Sequence, residues 1–428
     1  MTHQHLEAAF DKKLKKNRPS IAYRIGIMLA AMTMVGLVAV YLLLIAVCCY
    51  GVYYHFVNHT GMLQMRGGGR ARVLVFLVYA APGIIGPIII FFLIKPLLAR
   101  PAKVERFRSL NRDREPLLFD FVEKVCKAVG SPVPKRIDID CDVNASASFR
   151  RGFLSFLGRD LVLTIGLPVV AGLSLREFGG VLAHEFGHFS QGAGMRLSYV
   201  VRSISSWFMR VVYERDQWDE TLSSATEDVD IRVGWIILVA QGGVALGRGV
   251  LWVLMHIGVG VSGLLLRQME FDADRCETRF AGHKAFASTS RKMRLLSVAS
   301  ELSNAQIFEH LGSRRLVKDL PALILLNTKM MPPNIADEIV GEALKEKTNW
   351  YDTHPCDADR IKAAEKLGDE GAFSLKAPAA ALFTDFKGQS EATTWHLYMG
   401  TFGANVPKDS LVGPREYITA SKAGWAEA

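Results

Sequence analysis

The sequence predicts a membrane-associated, mainly α protein with a small β-sheet (α+β), its globular part carried on a transmembrane helix anchor. Three observations predict it. Half of the 428 residues are apolar and the mean hydropathy is +0.18, which excludes a disordered chain. The apolar residues concentrate before residue 100 and again over 233–266, a distribution that a wholly soluble protein does not need. Elsewhere, short β-branched or alternating segments and longer amphipathic ones describe the strands and helices of a folded body. The net charge of +9 would hint at nucleic acid in a soluble protein. Here the excess sits beside the apolar runs, as on a membrane protein, and no aromatic-basic groove accompanies it, so no nucleic-acid partner is expected. The six cysteines form no CxxC, which excludes a cysteine-only zinc site and argues against a disulfide scaffold.

Residues 1–20 form a basic N-terminus with Lys12, Lys13, Lys15, Lys16 and Arg18. Residues 21–100 hold two transmembrane helices, Ile25–Tyr54 and Val73–Leu98, each longer than the ~20 residues a crossing needs. The first run is too long for the apolar core of a signal peptide, roughly 7–15 residues. Pro82, Gly83, Gly86 and Pro87 interrupt the second, which membrane helices tolerate. Lys95, Arg100, Lys103, Arg106, Arg108, Arg112 and Arg114 follow it, against Arg66, Arg70 and Arg72 in the intervening loop. That bias places the N-terminus and everything after residue 100 on the cytoplasmic side.

Within residues 101–232, Arg136–Asp140 and Asp160–Thr164 read as strands. Asn144-Ala145-Ser146-Ala147 lies between them. It reads as an ordinary strand or turn, or as a free strand edge whose small side chains let an extended peptide pair with its backbone. Then comes His184-Glu185-Phe186-Gly187-His188, an HExxH. Two histidines four apart share a helical face and can reach one tetrahedral metal ion, and the glutamate between them can take a proton from a water that the metal activates. Ser174-Leu175-Arg176-Glu177 is a capping box that starts this helix. Leu175, Phe178, Leu182, Phe186 and Phe189 fall on the face opposite His184 and His188. A pair of surface histidines is the bland alternative.

Zinc at a hydrolytic site needs a third ligand and an open position. In residues 267–370, Glu270 and Asp274 are again four apart. Glu270 can ligate zinc, and Asp274 can accept from the far ring nitrogen of a ligating histidine, fixing its tautomer. Alone, Glu270, Asp272, Asp274 and Glu277 read as a solvated acidic stripe; beside an HExxH they read as a ligand set. Ala273 leaves room for the two helices to approach, and Gly282 is a natural stop. His188 and Glu270 are 82 positions apart (270 minus 188) with the apolar stretch between them. They share one metal only if that stretch crosses the bilayer twice or not at all. A tight hairpin turning near Gly247–Gly249 is the favoured arrangement, with a membrane-dipping one as the alternative, because half-runs of about 16 residues are short for crossing.

HEFGH, then EFDAD, then Thr353-His354-Pro355 with Arg360-Ile361, resembles the membrane-embedded zinc metallopeptidases that include the CAAX prenyl endopeptidases and the bacterial heat-shock membrane protease. The resemblance spans roughly residues 20–365. It implies a zincin-like catalytic domain and a zinc metalloendopeptidase with one Zn2+ per chain. His184, His188 and Glu270 match its ligands, Glu185 its base and Asp274 the position that supports the ligands. His354 matches a position that suggests a donor to the oxyanion; a structural contact is the alternative. Arg360 can pair with an acidic neighbour or hold the cleft together, and Asn144–Ala147 matches a segment that borders the cleft.

The expected partners are a peptide or protein substrate and the lipid bilayer. The expected location is a bacterial inner (plasma) membrane with the catalytic domain in the cytoplasm. A catalytically silent zinc-binding membrane scaffold is the alternative function, though intact Glu185 argues against it. Cys276 and Cys356 read as passive thiols. Residues 283–347 read as helical without added chemistry, and 371–428 as a C-terminal appendage. No oligomeric signal is visible.

Overall fold

A strand rich in β-branched and leucine side chains, Leu161–Gly166, is the natural centre of the sheet, and it is buried on both sides in the computed structural model of the protein. The structure describes residues 3–10, 14, 21–64, 68–98, 107–149, 160–190, 193–213, 234–310, 315–349, 352, 354–403 and 410–420. The basic residues Lys12, Lys13, Lys15, Lys16, Arg18, Arg100, Lys103 and Arg106, with Thr353, lie outside them.

In chain order the elements are α1 (His3–Ala9), α2 (Ile21–Asn58), α3 (Gly69–Leu98), β1 (Arg108–Ser109), α4 (Pro116–Val129), β2 (Arg136–Asp140), β3 (Ala145–Phe149), β4 (Leu161–Gly166), α5 (Leu167–Gly172), α6 (Leu175–Gly187) and α7 (Ala193–Tyr213). There follow α8 (Gly234–Ala281), α9 (His283–His310), β5 (Leu316–Val317), α10 (Leu320–Met330), α11 (Pro333–Lys345), α12 (Asp357–Leu367), α13 (Phe386–Phe402), β6 (Leu411–Val412) and α14 (Pro414–Ala420). The chain forms two units, one of residues 1–23, 103–196 and 265–428, the other of residues 24–102 and 197–264.

In the first unit a four-stranded sheet runs β1-β2-β4-β3. β2 and β4 are parallel, while β1 and β3 flank them antiparallel. β3 is therefore an edge strand among the described residues. Its Ser146 stands opposite Thr164 and its Ala147 opposite Leu163. The core lies between this sheet, α4 and α6, with Phe121, Ile139, Leu163, Phe178, Leu182 and Phe186 fully buried.

Segments near both ends of the sequence enter that core, and the second corrects an expectation. In the basic N-terminal segment Leu6 of α1 is fully buried, and the Phe10 ring meets those of Phe121, Phe280 and Phe373 at 5.0–5.9 Å. Residues after 371 are not an appendage. Phe373, Ala379 and Leu382 are buried in the same core. The N–H of Leu175 donates to the Ala377 carbonyl at 2.6 Å, and that of Ala379 to the Leu173 carbonyl at 3.1 Å. Apolar residues at both ends cover surface that the central segments leave open, and burying it is favourable.

The second unit holds the apolar parts of α2, α3 and α8, and these helices are long and apolar enough to cross a membrane. Their outward faces are apolar: Met32, Leu43 and Val47 on α2 and Leu74 on α3 are 60–63 % exposed. A surface of that kind is unfavourable in water and matches lipid. Tyr50, Tyr53 and Tyr54 gather at the far end of α2, where aromatic rings suit a bilayer interface.

The hairpin expected over 233–266 is not found. α8 runs unbroken from Gly234 to Ala281, straight through Gly247–Gly249. Gly243 and Gly247, four apart, instead let α8 lie against Phe92 and Leu93 of α3, a use of small residues common between membrane helices. The chain passes into this unit at Leu197 along α7 and leaves it at Leu264 along α8. α7 is amphipathic, with Arg202 and Arg210 along it, and forms no apolar run.

Candidate metal centre

All the predicted site residues lie in the first unit. α6 begins with the expected capping box: the Glu177 N–H donates to Ser174 Oγ, and the Ser174 N–H donates to Glu177 Oε2 at 2.8 Å. Glu177 is buried and also accepts from Lys292 Nζ and Ser288 Oγ on α9. Burial alone would raise its pKa; these donors outweigh it and hold the carboxyl below its usual range. The Leu175, Phe178, Leu182 and Phe186 face is fully buried, so His184 and His188 are turned toward α8.

Close approach to α8 depends on small residues. A Cβ on Gly180 would stand 2.9 Å from the Ala281 Cβ, and one on Gly187 would stand 3.2 Å from the Ala273 Cα. Gly180→Val is expected to destabilise the protein by about 1–3 kcal/mol through overpacking. Thermal unfolding in detergent reads this, and an unchanged midpoint would show that α8 can retreat freely.

With the helices this close, His184 Nε2 lies 3.5 Å from Glu270 Oε2, and His188 Nε2 lies 3.7 Å from Glu270 Oε1. The two imidazoles are perpendicular, their centroids 4.9 Å apart. These separations are long for hydrogen bonds. They are close to the ~3.4 Å edge of a tetrahedron of donors bonded at ~2.1 Å to zinc. One donor atom from each of the three residues falls within 4.8 Å of the others. Two imidazole nitrogens and a carboxylate are also a donor set that zinc accepts.

Behind the donors, His184 Nδ1 is buried 3.0 Å from Asp274 Oδ1, off the axis of a full hydrogen bond, and 3.7 Å from Glu277 Oε2. Arg360 forks onto Asp274, Nη2 to Oδ1 at 2.6 Å and Nε to Oδ2 at 3.0 Å, a bidentate arrangement that fixes the carboxylate plane. Burial works to lower the His184 pKa, but the Asp274 and Glu270 carboxylates overcome it and raise it to about 10. The pocket is thus built to hold positive charge. His354 Nδ1 reaches Glu270 Oε2 at 3.3 Å while the ring stays largely exposed.

Glu185 opens into a cleft of ≈ 370 Å³ that Asn144, Ala145, His184 and Arg360 also line. Of the proposed edge segment, Asn144 and Ala145 reach this cleft; Ser146 and Ala147 lie further along β3 and do not line it. The Asn144 carbonyl accepts from the Gly166 N–H at 2.8 Å.

Sequence reasoning passed over the opposite wall, which α9 supplies with Phe286, Ser290, Met293, Arg294 and Ser297. Their spacing of three, four and seven was readable as one helix face. Glu277, to which no role of its own was assigned, is buried beside His184. Cys276 is buried against Gly187, and Cys356 is half-buried.

Comparison with curated proteins and with solved structures returns no match. Residues 113–367, well over half of the chain and the stretch that carries the HExxH, the Glu270 helix, His354 and Arg360, match the sequence model of one family. The chain belongs to Peptidase family M48, the metallopeptidase family of the CAAX prenyl endopeptidases.

Proposed function

We propose that this protein is a membrane-bound, zinc-dependent endopeptidase. On this reading a zincin-like catalytic domain cleaves membrane or misfolded proteins at the cytoplasmic face of a bacterial inner membrane. The observation that carries the reading is the convergence of His184 Nε2, His188 Nε2 and the Glu270 carboxylate at tetrahedral spacing, beside a cleft that Glu185 lines. Zinc, when bound by these three residues, supplies Lewis acidity to the attacking water and to the scissile carbonyl.

The remaining chemistry belongs to the side chains. Glu185 takes a proton from the attacking water and passes it to the leaving amine. His354 donates to the carbonyl oxygen as negative charge develops there. Asp274, held by Arg360, keeps His184 in the tautomer that presents Nε2. The β3 edge aligns an extended segment of substrate by backbone pairing, starting at Asn144 and Ala145.

The cytoplasmic orientation rests on the positive residues that follow α3. It is supported by the N-terminal helix sharing a unit with the site residues, with the apolar helices α2 and α3 between them in the chain.

The test uses the full chain in detergent with an unfolded protein as substrate. Cleavage is expected to stop on chelation and to return when zinc is restored to one per chain. One zinc bound per chain with no cleavage of any unfolded protein would favour the silent scaffold instead.

A further inference from the structure

Polar contacts hold the described residues of the His354 loop. Within residues 346–356, Pro355 alone of the described residues is buried, and an open hollow of ≈ 510 Å³ lies against the loop. His354 stands 3.3 Å from Glu270, and polar contacts tie down the described residues on either side of it.

Two clamps do so. At the far end, Thr348 Oγ1 donates to Asp359 Oδ2 at 2.7 Å and accepts from the Cys356 N–H at 2.9 Å. At the near end, Arg267 Nη1 donates to the Asn349 carbonyl at 3.1 Å and to the Asp352 carbonyl at 2.8 Å. Asp352 closes the turn by accepting from the Asn349 N–H at 2.6 Å. Arg267 lies three residues before Glu270, one turn away on the same helix. The helix that carries the third metal-ligand candidate therefore also grips the loop that carries His354.

We propose that Arg267 is a positioning residue. By holding the Asn349 and Asp352 carbonyls it fixes His354 against Glu270, so that the loop and the third ligand move as one body. Its consequence for cleavage rests on the metallopeptidase reading; its hold on the loop does not. An arginine suits the task because one nitrogen of its planar guanidinium serves both carbonyls from a fixed direction, which a lysine ammonium on its flexible stem holds less firmly.

The experiment compares Arg267→Ala, Arg267→Lys, His354→Ala and the double variant Arg267→Ala/His354→Ala with the unaltered full chain in detergent. The first readout is hydrogen exchange of the Asn349 and Cys356 amides. Exchange is expected to quicken about tenfold in Arg267→Ala, the worth of a hydrogen bond to a charged group, to quicken less in Arg267→Lys, and to stay unchanged in His354→Ala. The second readout is kcat, expected to fall by about a hundredfold in Arg267→Ala, with KM and zinc content unchanged and with no further loss when Arg267→Ala is added to His354→Ala.

Unchanged exchange in Arg267→Ala overturns the proposal whatever the activity. So do losses in kcat that multiply in the double variant, because the two residues would then act independently. A zinc-loaded unaltered chain that cleaves nothing overturns the endopeptidase reading instead, and the exchange readout still decides whether Arg267 holds the loop.

Discussion

Glu185→Gln lowers the rate of peptide cleavage by about two to four orders of magnitude, the usual contribution of a general base, while the zinc content stays at one per chain. Glutamine keeps the size of the side chain and its place in the cleft beside His184 and Asn144, but it cannot take a proton. His184, His188 and Glu270 are untouched, so metal affinity is spared. The pairing of lost turnover with retained metal separates this variant from any that merely unfolds the site. Full activity in Glu185→Gln would remove Glu185 from its assigned role. A loss of zinc together with activity would show that the residue holds the site together rather than moving a proton.

Asp274→Ala has the second large effect, and it acts on stability and metal together. Asp274 is buried and takes both arms of the Arg360 fork. Removing it strands a mostly buried guanidinium, a change that costs about 3–5 kcal/mol. It also removes the carboxylate that faces His184 Nδ1 at 3.0 Å, which lowers metal affinity by about 10–100-fold. Thermal unfolding and zinc titration against a competing chelator measure the two effects separately. In an Arg360→Ala background the stability cost of Asp274→Ala should shrink, since no guanidinium is then left unpaired. Zinc bound as tightly by Asp274→Ala as by the unaltered chain would mean that His184 is oriented by other groups, Glu277 being the nearest at 3.7 Å.

How far the sequence was legible depended on the range of the interactions. The α6 helix could be read to its cap because every signal in it is local: Ser174 and Glu177 are three apart, and His184 and His188 four apart. Glu270 and Asp274 were readable for the same reason. The step from one pair to the other needed only the chemical demand for a third ligand, and the structure brings His184, His188 and Glu270 together.

The apolar stretch before Glu270 carries glycines that would suit a turn, yet α8 is one helix through them. In lipid the backbone has no water to bond with, so a helix persists through Gly247 and Gly249. α7, which enters the same unit, is amphipathic and has no apolar run. The roles of Leu6, Phe10 and Phe373 were invisible for a different reason. Each depends on partners more than a hundred residues away or at the other end of the chain, and no spacing rule records such contacts. Arg267 belongs to the same class: its partners Asn349 and Asp352 are backbone carbonyls, which carry no sequence signal at all.

The meeting of Phe10 with Phe373, at ring centroids 5.0 Å apart, bears on the order in which the core can assemble. A growing polypeptide emerges N-terminus first, and its α6 helix is translated long before the segment 377–379 that bonds to Leu173 and Leu175. Until synthesis has passed Leu382, the core behind α6 lacks Phe373, Ala379 and Leu382. That core is therefore completed only late in synthesis.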